Sequence, residues 1–538
     1  MLLALLACRH SSELDLGEPD TTDPAATAPA PAAFDRDAVL DVRLTLDDED
    51  WEELRTEERN PLEMFAGDCL AEEWPNPYDW FHAEVEIDGE RLHDVGVHKK
   101  GFFGSVSETR PSMVVRLDKY EDDQAFRGTP RLTLNNAQQD PTLLRTCLAY
   151  DTFLALGIPA PACGFANVTV NGDDLGVYVN VESVDEVFLA RIGSPEASMF
   201  EGAVSDFREG WLGTFEPETD ESGLADLVPL TDALEVGDDE LFDALEPVLD
   251  VDAFYRFWAA EMLTAHWDGY AANTNNFHVY VDPADGRARF IPWGTDAAWW
   301  PGVESAVIAN SMLTARLLGT SEGRERYADA LRDVLADFDE DALVEEAERA
   351  QELIGGDDDG FRELKRTIKG RRETLEEALD GGIEDVSALR DPPCLIPTGS
   401  VEATFTVEWG SYPSGSPAGA GDFTVVYAGD AIPVSDVYSL AGESDGQGLL
   451  VVIGTAGADT YVAPYVVFDP DDLEPGAALD VDWDEVAGSL LYNGPDTGGQ
   501  WTEAAWLGEG TLALEDAANT DGASLSGTLT AELFTLGW

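Results

Sequence analysis

At Asp391-Pro392-Pro393 the sequence changes character, and this break constrains the fold more than any other feature. Before it run long stretches with helical spacing. After it, from Ser400 onward, come short alternating runs such as Ala403 to Trp409, Phe423 to Tyr427 and Leu449 to Ile453, punctuated by Gly, Asp and Ser. That pattern predicts an all-β sandwich or barrel. One hydrophobic core does not extend across 538 residues, so two or three domains are expected. The β-rich region, taken as 398–538 and read as sandwich-like, holds no constellation that suggests chemistry. It reads as an accessory or adhesion module.

The part before the break divides again. Over 38–184 the chain is strand-rich, with hairpins predicted at Asp88-Gly89 and Asn171-Gly172. Between them Asp140-Pro141 predicts a helix start, a capping Asp followed by Pro at the first helical position, with Leu143, Leu144, Leu148 and Phe153 as its apolar stripe. The sum is a small α+β lobe. Over 185–390 the pattern is mainly helical. Phe254, Trp258 and Met262 share a face, two short strands flank Asp282-Pro283-Ala284-Asp285-Gly286, and amphipathic stripes follow at Tyr327/Leu331/Val334/Phe338, Leu343/Ala347/Leu353 and Leu364/Ile368/Leu375/Leu379. Arg324, Arg326, Arg371 and Arg372 are expected in surface ion pairs.

Charge limits the partners. With 31 basic and 108 acidic residues, the formal net charge is −77, spread along the whole chain. Such a field repels nucleic acid and anionic lipid headgroups, so no nucleic-acid partner is expected. The first residues end in Leu5-Leu6-Ala7-Cys8, the pattern of a lipoprotein signal whose Cys is lipidated after cleavage. A Thr/Pro/Ala linker from Glu18 to Ala33 follows, and region 1–37 therefore reads as signal and tether. No stretch is long and apolar enough for a transmembrane helix, so any membrane contact is expected through the Cys8 anchor alone. The expected location is the outer membrane or cell surface of an exporting bacterium. Cys69, Cys147, Cys163 and Cys394 permit two disulfides in three pairings, which spacing leaves open.

The segment that suggests chemistry is His266-Trp267-Asp268-Gly269-Tyr270-Ala271-Ala272-Asn273. An Asp with an Asn five residues later has the spacing of a kinase catalytic loop, where the carboxylate accepts the proton of the attacking hydroxyl and the Asn carbonyl holds a magnesium ion. After two short strands comes Pro292-Trp293-Gly294-Thr295-Asp296, which places a carboxylate where kinases hold their metal. Asp268 is therefore the candidate base, with Asn273 and Asp296 as candidate metal ligands.

A wider set of segments resembles the CotH kinase family, that of spore-coat protein H-like atypical protein kinases. They are Val95 to Gly101, Phe126-Arg127-Gly128, Leu132 to Asn136, Asp140-Pro141 with Leu144-Arg145, Leu148 to Asp151, Leu156 to Pro161, Val170 to Gly172, Leu175 to Tyr178, Val181-Glu182, Trp267-Asp268-Gly269, Asn275-Asn276 and Phe290 to Trp293. They span about Val39 to Leu379; the C-terminal β region lies outside. The resemblance implies a two-lobed atypical protein-kinase fold, α+β overall, that uses ATP with Mg²⁺, or Mn²⁺, to phosphorylate Ser, Thr or Tyr hydroxyls of a protein substrate at the cell surface. It also implies that Lys100-Gly101 with Gly104-Ser105 is the phosphate-covering turn, that Lys100 or Arg110 is the cation reaching the phosphates, and that Asn276 holds the loop. Three departures matter: Gly294 stands where the family often has an acid, Arg110 where a Lys is usual, and Thr146 where an acid is frequent. They leave a rival reading, a kinase-fold surface lipoprotein that has lost catalysis and serves as a structural or binding module. A third reading is an adhesin led by the β region.

Overall fold

The computed structural model describes residues 29–537 other than 103, 220, 221, 385, 417 and 445. The proposed lipid-bearing Cys8 and the linker up to residue 28 lie outside the described residues. No described helix is long and apolar enough to cross a membrane.

Seven strands close into a barrel: β1 (Val39–Thr45), β2 (Phe81–Ile87), β3 (Glu90–Lys100), β4 (Ser112–Arg116), β5 (Arg131–Asn135), β6 (Cys163–Val170) and β7 (Asp173–Val181). Closure comes from β1, which pairs antiparallel with β2 and parallel with β6. Asp88-Gly89 and Asn171-Gly172 turn the two hairpins with positive φ at all four residues, the twist-matched turn that these dipeptides favour. Alternation sends Leu40, Val42 and Leu44 of β1 inward against Val85, Val97 and Val115.

The helix expected from Asp140-Pro141 begins later and spans Arg145–Ala155. Leu143 sits at φ 61°, which no right-handed helix accommodates. Asp140 still serves the start, accepting hydrogen bonds from the Thr142 and Arg145 N–H groups at 3.0 and 2.9 Å. A Cys147–Cys163 disulfide ties this helix to β6.

Strands β8 (Ser198–Gly202), β9 (Phe215–Pro217), β10 (Phe277–Asp282) and β11 (Arg287–Pro292) form a second sheet in the order β11-β10-β8-β9. The Val251–Leu263 helix packs on it, burying Phe254, Trp258 and Met262, with Trp258 and Tyr327 rings 4.2 Å apart. One core runs from Phe165 and Val179 on the barrel through this helix to Leu331, Val344 and Ile368. Arg371 departs from the surface ion pair expected of it. It is buried and donates to the carbonyls of Met262 and Leu263. Those are end-of-helix oxygens with no partner inside their own helix, so a buried guanidinium suits them.

After Leu395, ten strands form one continuous sheet. Its first strand, Leu395–Glu408, pairs with Ser524–Leu536 on one side and Gly419–Tyr427 on the other, which closes the path. The sandwich-like expectation is corrected here, because a sandwich needs two sheets with free edges and this sheet meets itself. A Cys69–Cys394 disulfide anchors its entry to the loop after residue 65, and the Leu395 N–H reaches the Phe65 carbonyl at 2.7 Å. Around it Met64, Phe65, Trp74 and Trp211 pack with Leu395, Trp506 and Leu536.

Candidate functional site

The site is a cleft of about 380 Å³ between the barrel and the β8–β11 sheet. Its acidic loop begins at the C-terminal end of the Val251–Leu263 helix. Glu261 of that helix is 1% exposed, and its carboxylate accepts hydrogen bonds from the Tyr270 and Ala271 N–H groups at 2.8 and 3.1 Å. Those are unpaired donors at the start of the short Tyr270–Asn273 helix, so Glu261 caps it from outside. A Cβ at Gly269 would lie 2.2 Å from the Glu261 oxygen, so this approach needs glycine. Burial raises Glu261 to about 8, against the two backbone bonds.

That turn returns three asparagines to Asp268. Asn273 donates to Oδ1, Asn276 donates to Oδ2 at 2.8 Å and to the Asp268 carbonyl at 3.1 Å, and Asn275 lies 3.4 Å from Oδ1. Burial raises the Asp268 pKa, while the asparagine bonds and the Arg390 charge oppose the shift. Arg390, near the end of the segment leading to the C-terminal sheet, donates to the Asn273 carbonyl.

Asp296 follows β11 in a single 3₁₀ turn, Thr295–Ala297, and lines the cleft. Burial and the neighbouring Asp268 charge push it up to about 6, with Lys100 opposing. Gly294, two residues earlier, has φ +48°, and a Cβ there would lie 2.2 Å from Asn276 Oδ1. The space where the family's acid would begin is filled by the asparagine that braces Asp268.

Lys100 ends β3 and enters the cleft, its ammonium 5.0 Å from the centre of the Trp293 ring. Burial lowers its pKa; Glu201, Asp296 and Glu218 oppose. Its neighbour Lys99 takes the opposite face, as strand alternation requires, and donates to the Arg55 and Glu57 carbonyls. Gly101, at φ +133°, also lines the cleft, and its carbonyl accepts from the Tyr78 hydroxyl at 3.0 Å. Ser105 Oγ bonds the Phe102 N–H and carbonyl, closing the turn beside it.

Two expected ligands are not brought to the cleft. Arg110 donates to the Leu175 and Val177 carbonyls of β7 and stacks over Tyr178, 4.7 Å from the ring centre. A guanidinium fork fits two successive outward carbonyls better than a lone ammonium would, and this site holds it on the barrel. Asn273 is also absent from the cleft lining, as is the expected base Asp268, which lies behind the asparagines that hold it. Asn275 and Asn276 line the cleft instead.

Sequence reasoning missed the opposite wall. His278 of β10, Glu201 of β8 and Glu216 of β9 are register partners across three strands, and Glu218 returns to the same face two residues on. All four line the cleft. Burial and Glu216 push Glu201 up to about 7, burial followed by the other two glutamates raises Glu218, and burial with Lys100 lowers His278 to about 3. In a chain with 108 acidic residues, no local pattern marks these out. Only the pairing of β8 with β10 does.

The family described as CotH kinase protein matches residues 97–380. Inner spore coat protein H of Bacillus subtilis (strain 168) is 29% identical over 236 residues, covering 39% of this chain and 64% of that protein, just under two thirds. The inner spore coat protein H-like protein of the same strain is 24% identical over 250 residues, covering 44% of this chain and 74% of that one. Invasin CotH2 of Rhizopus delemar is 28% identical over 178 residues, covering 29% of this chain and 30% of the invasin. Among solved structures, the Helicobacter pylori proinflammatory kinase CtkA aligns with TM-score 0.30 and 9% identity, over 52% of this chain and 95% of that one. That likeness is too low to carry an argument.

Proposed function

This chain belongs to the CotH kinase family, and from that premise we propose that it transfers the γ-phosphate of ATP to Ser, Thr or Tyr hydroxyls of cell-surface or secreted proteins. On this reading the barrel with the Arg145–Ala155 helix is one lobe of a kinase-like fold and the helical region is the other. The observation that carries the proposal is that Asp296 and Lys100 share one cleft, with Asp268 held just behind its Asn275 and Asn276 lining and near enough for its charge to raise Asp296. Asp268, oriented by three asparagine amides, accepts the proton of the attacking hydroxyl. Lys100, between carboxylates and against the Trp293 ring, meets the phosphates as a compact cation. The Gly101–Ser105 turn covers them.

A divalent ion fits the donor set. Asp296 lines the cleft, and no side chain of a described residue hydrogen-bonds it. Its carboxylate with the Asn276 amide oxygen makes an all-oxygen pair, the chemistry that suits Mg²⁺ or Mn²⁺. The ligand role expected of Asn273 thus passes to Asn276. Bound there, the ion would neutralise triphosphate charge. Export, a lipid tether through Cys8 and a surface protein substrate belong to the same proposal, supported by the sequence of the N-terminus and by a net charge of −77 that disfavours nucleic acid.

The test is calorimetry with Mg-ATP on the soluble body, together with transfer of labelled phosphate to its own chain and to casein. Binding and transfer by the wild type, with transfer abolished in Asp268→Asn, are expected. Absence of any Mg-ATP binding would leave the non-catalytic module as the better account. One observation favours that rival, the Asn276 side chain occupying the space of an acid at Gly294.

A further inference from the structure

The wall facing Asp296 has a composition that phosphate transfer does not use. Glu201, Glu218 and His278 each offer a ligand atom, and these atoms lie within 4.8 Å of one another. The sheet builds the cluster: His278 and Glu201 are register partners on neighbouring strands, as are Glu201 and Glu216, and Glu218 lies two residues beyond Glu216. Glu218 is further held by its backbone, whose N–H donates to the Met199 carbonyl at 2.9 Å.

Carboxylates alone would say little, but His278 adds an independent observation. It is 1% exposed, and its buried Nδ1 has no hydrogen-bond partner. Its Nε2 is aimed at Glu201, 3.7 Å from Oε2. That is too long for a hydrogen bond. It is close to the spacing of two ligands sharing a tetrahedral ion, about 3.3 Å when each bond is about 2.0–2.1 Å. A small inward movement of either side chain closes the difference.

We propose that Glu201, Glu218 and His278 form a second cation site in the cleft, selective for a first-row transition-metal dication of the zinc class. The imidazole decides the class. Mg²⁺ and Ca²⁺ prefer oxygen donors, whereas a mixed nitrogen and carboxylate set suits zinc and its neighbours. The site is separate from the oxygen pair at Asp296, and Lys100 is within electrostatic reach of both. Its consequence is electrostatic: a dication there offsets the glutamate charge that otherwise draws Lys100 away from an incoming anion. The proposal stands apart from phosphate transfer, since zinc binding is read without nucleotide.

The test uses the full soluble chain, stripped with a chelator and titrated with Zn²⁺ by calorimetry in millimolar Mg²⁺. Wild type, Glu218→Gln, His278→Gln and Asp296→Asn are compared, and thermal melts check that each is folded. One zinc per chain is expected, with affinity reduced about 100-fold or more in Glu218→Gln and His278→Gln, beyond the range of outer-shell changes, and unchanged in Asp296→Asn. Exposed pairs such as His82 with Asp94 and His93 with Glu84 are the competing sites. Should a variant fail to fold, anomalous scattering from a zinc-soaked wild-type crystal locates the ion directly. A peak between His278 and Glu218 supports the proposal. No bound zinc, a peak at the surface histidines or at Asp296, or equal affinity in a folded His278→Gln overturns it.

Discussion

The glutamate wall of the cleft and Asp268, which lies behind the cleft's asparagine lining, are both acidic and are held by opposite means. Asp268 receives amide hydrogen bonds from three asparagines and lies within reach of Arg390. Glu201, Glu216 and Glu218 stand beside one another on a sheet face, and a different cation opposes the upward shift of each: Lys100 at Glu201, Arg59 at Glu216 and Arg131 at Glu218. The difference teaches where a chain can keep a carboxylate ionised. A loop offers neutral donors from several directions, while a strand face offers only the side chains of its register neighbours. The first arrangement orients one group for chemistry. The second leaves a patch that takes up a cation or a proton.

The sharpest way to break this comparison is Asp268→Asn. If the asparagine-held carboxylate is the chemical one, phosphate transfer should fall by about 10²–10⁴-fold, while calorimetric Mg-ATP affinity stays near wild type. The paired change Glu201→Gln should reduce transfer far less, and equal losses in the two variants would erase the distinction. Asp296→Ala comes next. Losing a carboxylate ligand should weaken Mg-ATP binding by at least the about 10–100-fold that an outer-shell partner costs, with the defect read in the dissociation constant.

Gly294→Asp asks whether the missing acid can be restored. Its Cβ would meet the Asn276 amide, and the backbone has φ +48°. The variant should therefore be destabilised by about 1–3 kcal/mol and should not gain transfer activity. A stable variant with higher activity would show that Asn276 yields easily. The smallest effect concerns the support of the Asp268 loop. Glu261 sits at about 8 in the folded protein, above the ordinary range near 4.3 for an unfolded chain. The folded state thus binds a proton more tightly between those values, so this group lowers stability as pH rises from about 4.5 to about 8. Denaturant titrations of wild type and Glu261→Gln should diverge across that window and run parallel above it.

Much of the Asp268 loop was legible before the fold was known. The spacing from Asp268 to Asn273 and the hairpin before Asp296 are local, and a turn of a few residues has few ways to close. The hairpins at Asp88-Gly89 and Asn171-Gly172 were legible for the same reason. Asn273 and Asn276 look alike in sequence: both amides turn to Asp268, and only the chain's path shows that Asn276 also lines the cleft while Asn273 does not. Arg110 misled because a cation near a glycine-rich turn resembles a phosphate contact, whereas two β7 carbonyls lay closer.

By itself, then, the sequence determined the change from helices to strands near Asp391, the acid-bearing loop and the family likeness, all carried by short-range spacing. Only the tertiary structure decided that Cys69 joins Cys394, that the last ten strands close into one sheet, and that Glu201 faces His278. Each of these brings together residues far apart in sequence. Their meeting depends on how whole elements pack to bury apolar surface, and that packing leaves no periodic mark at the residues it joins.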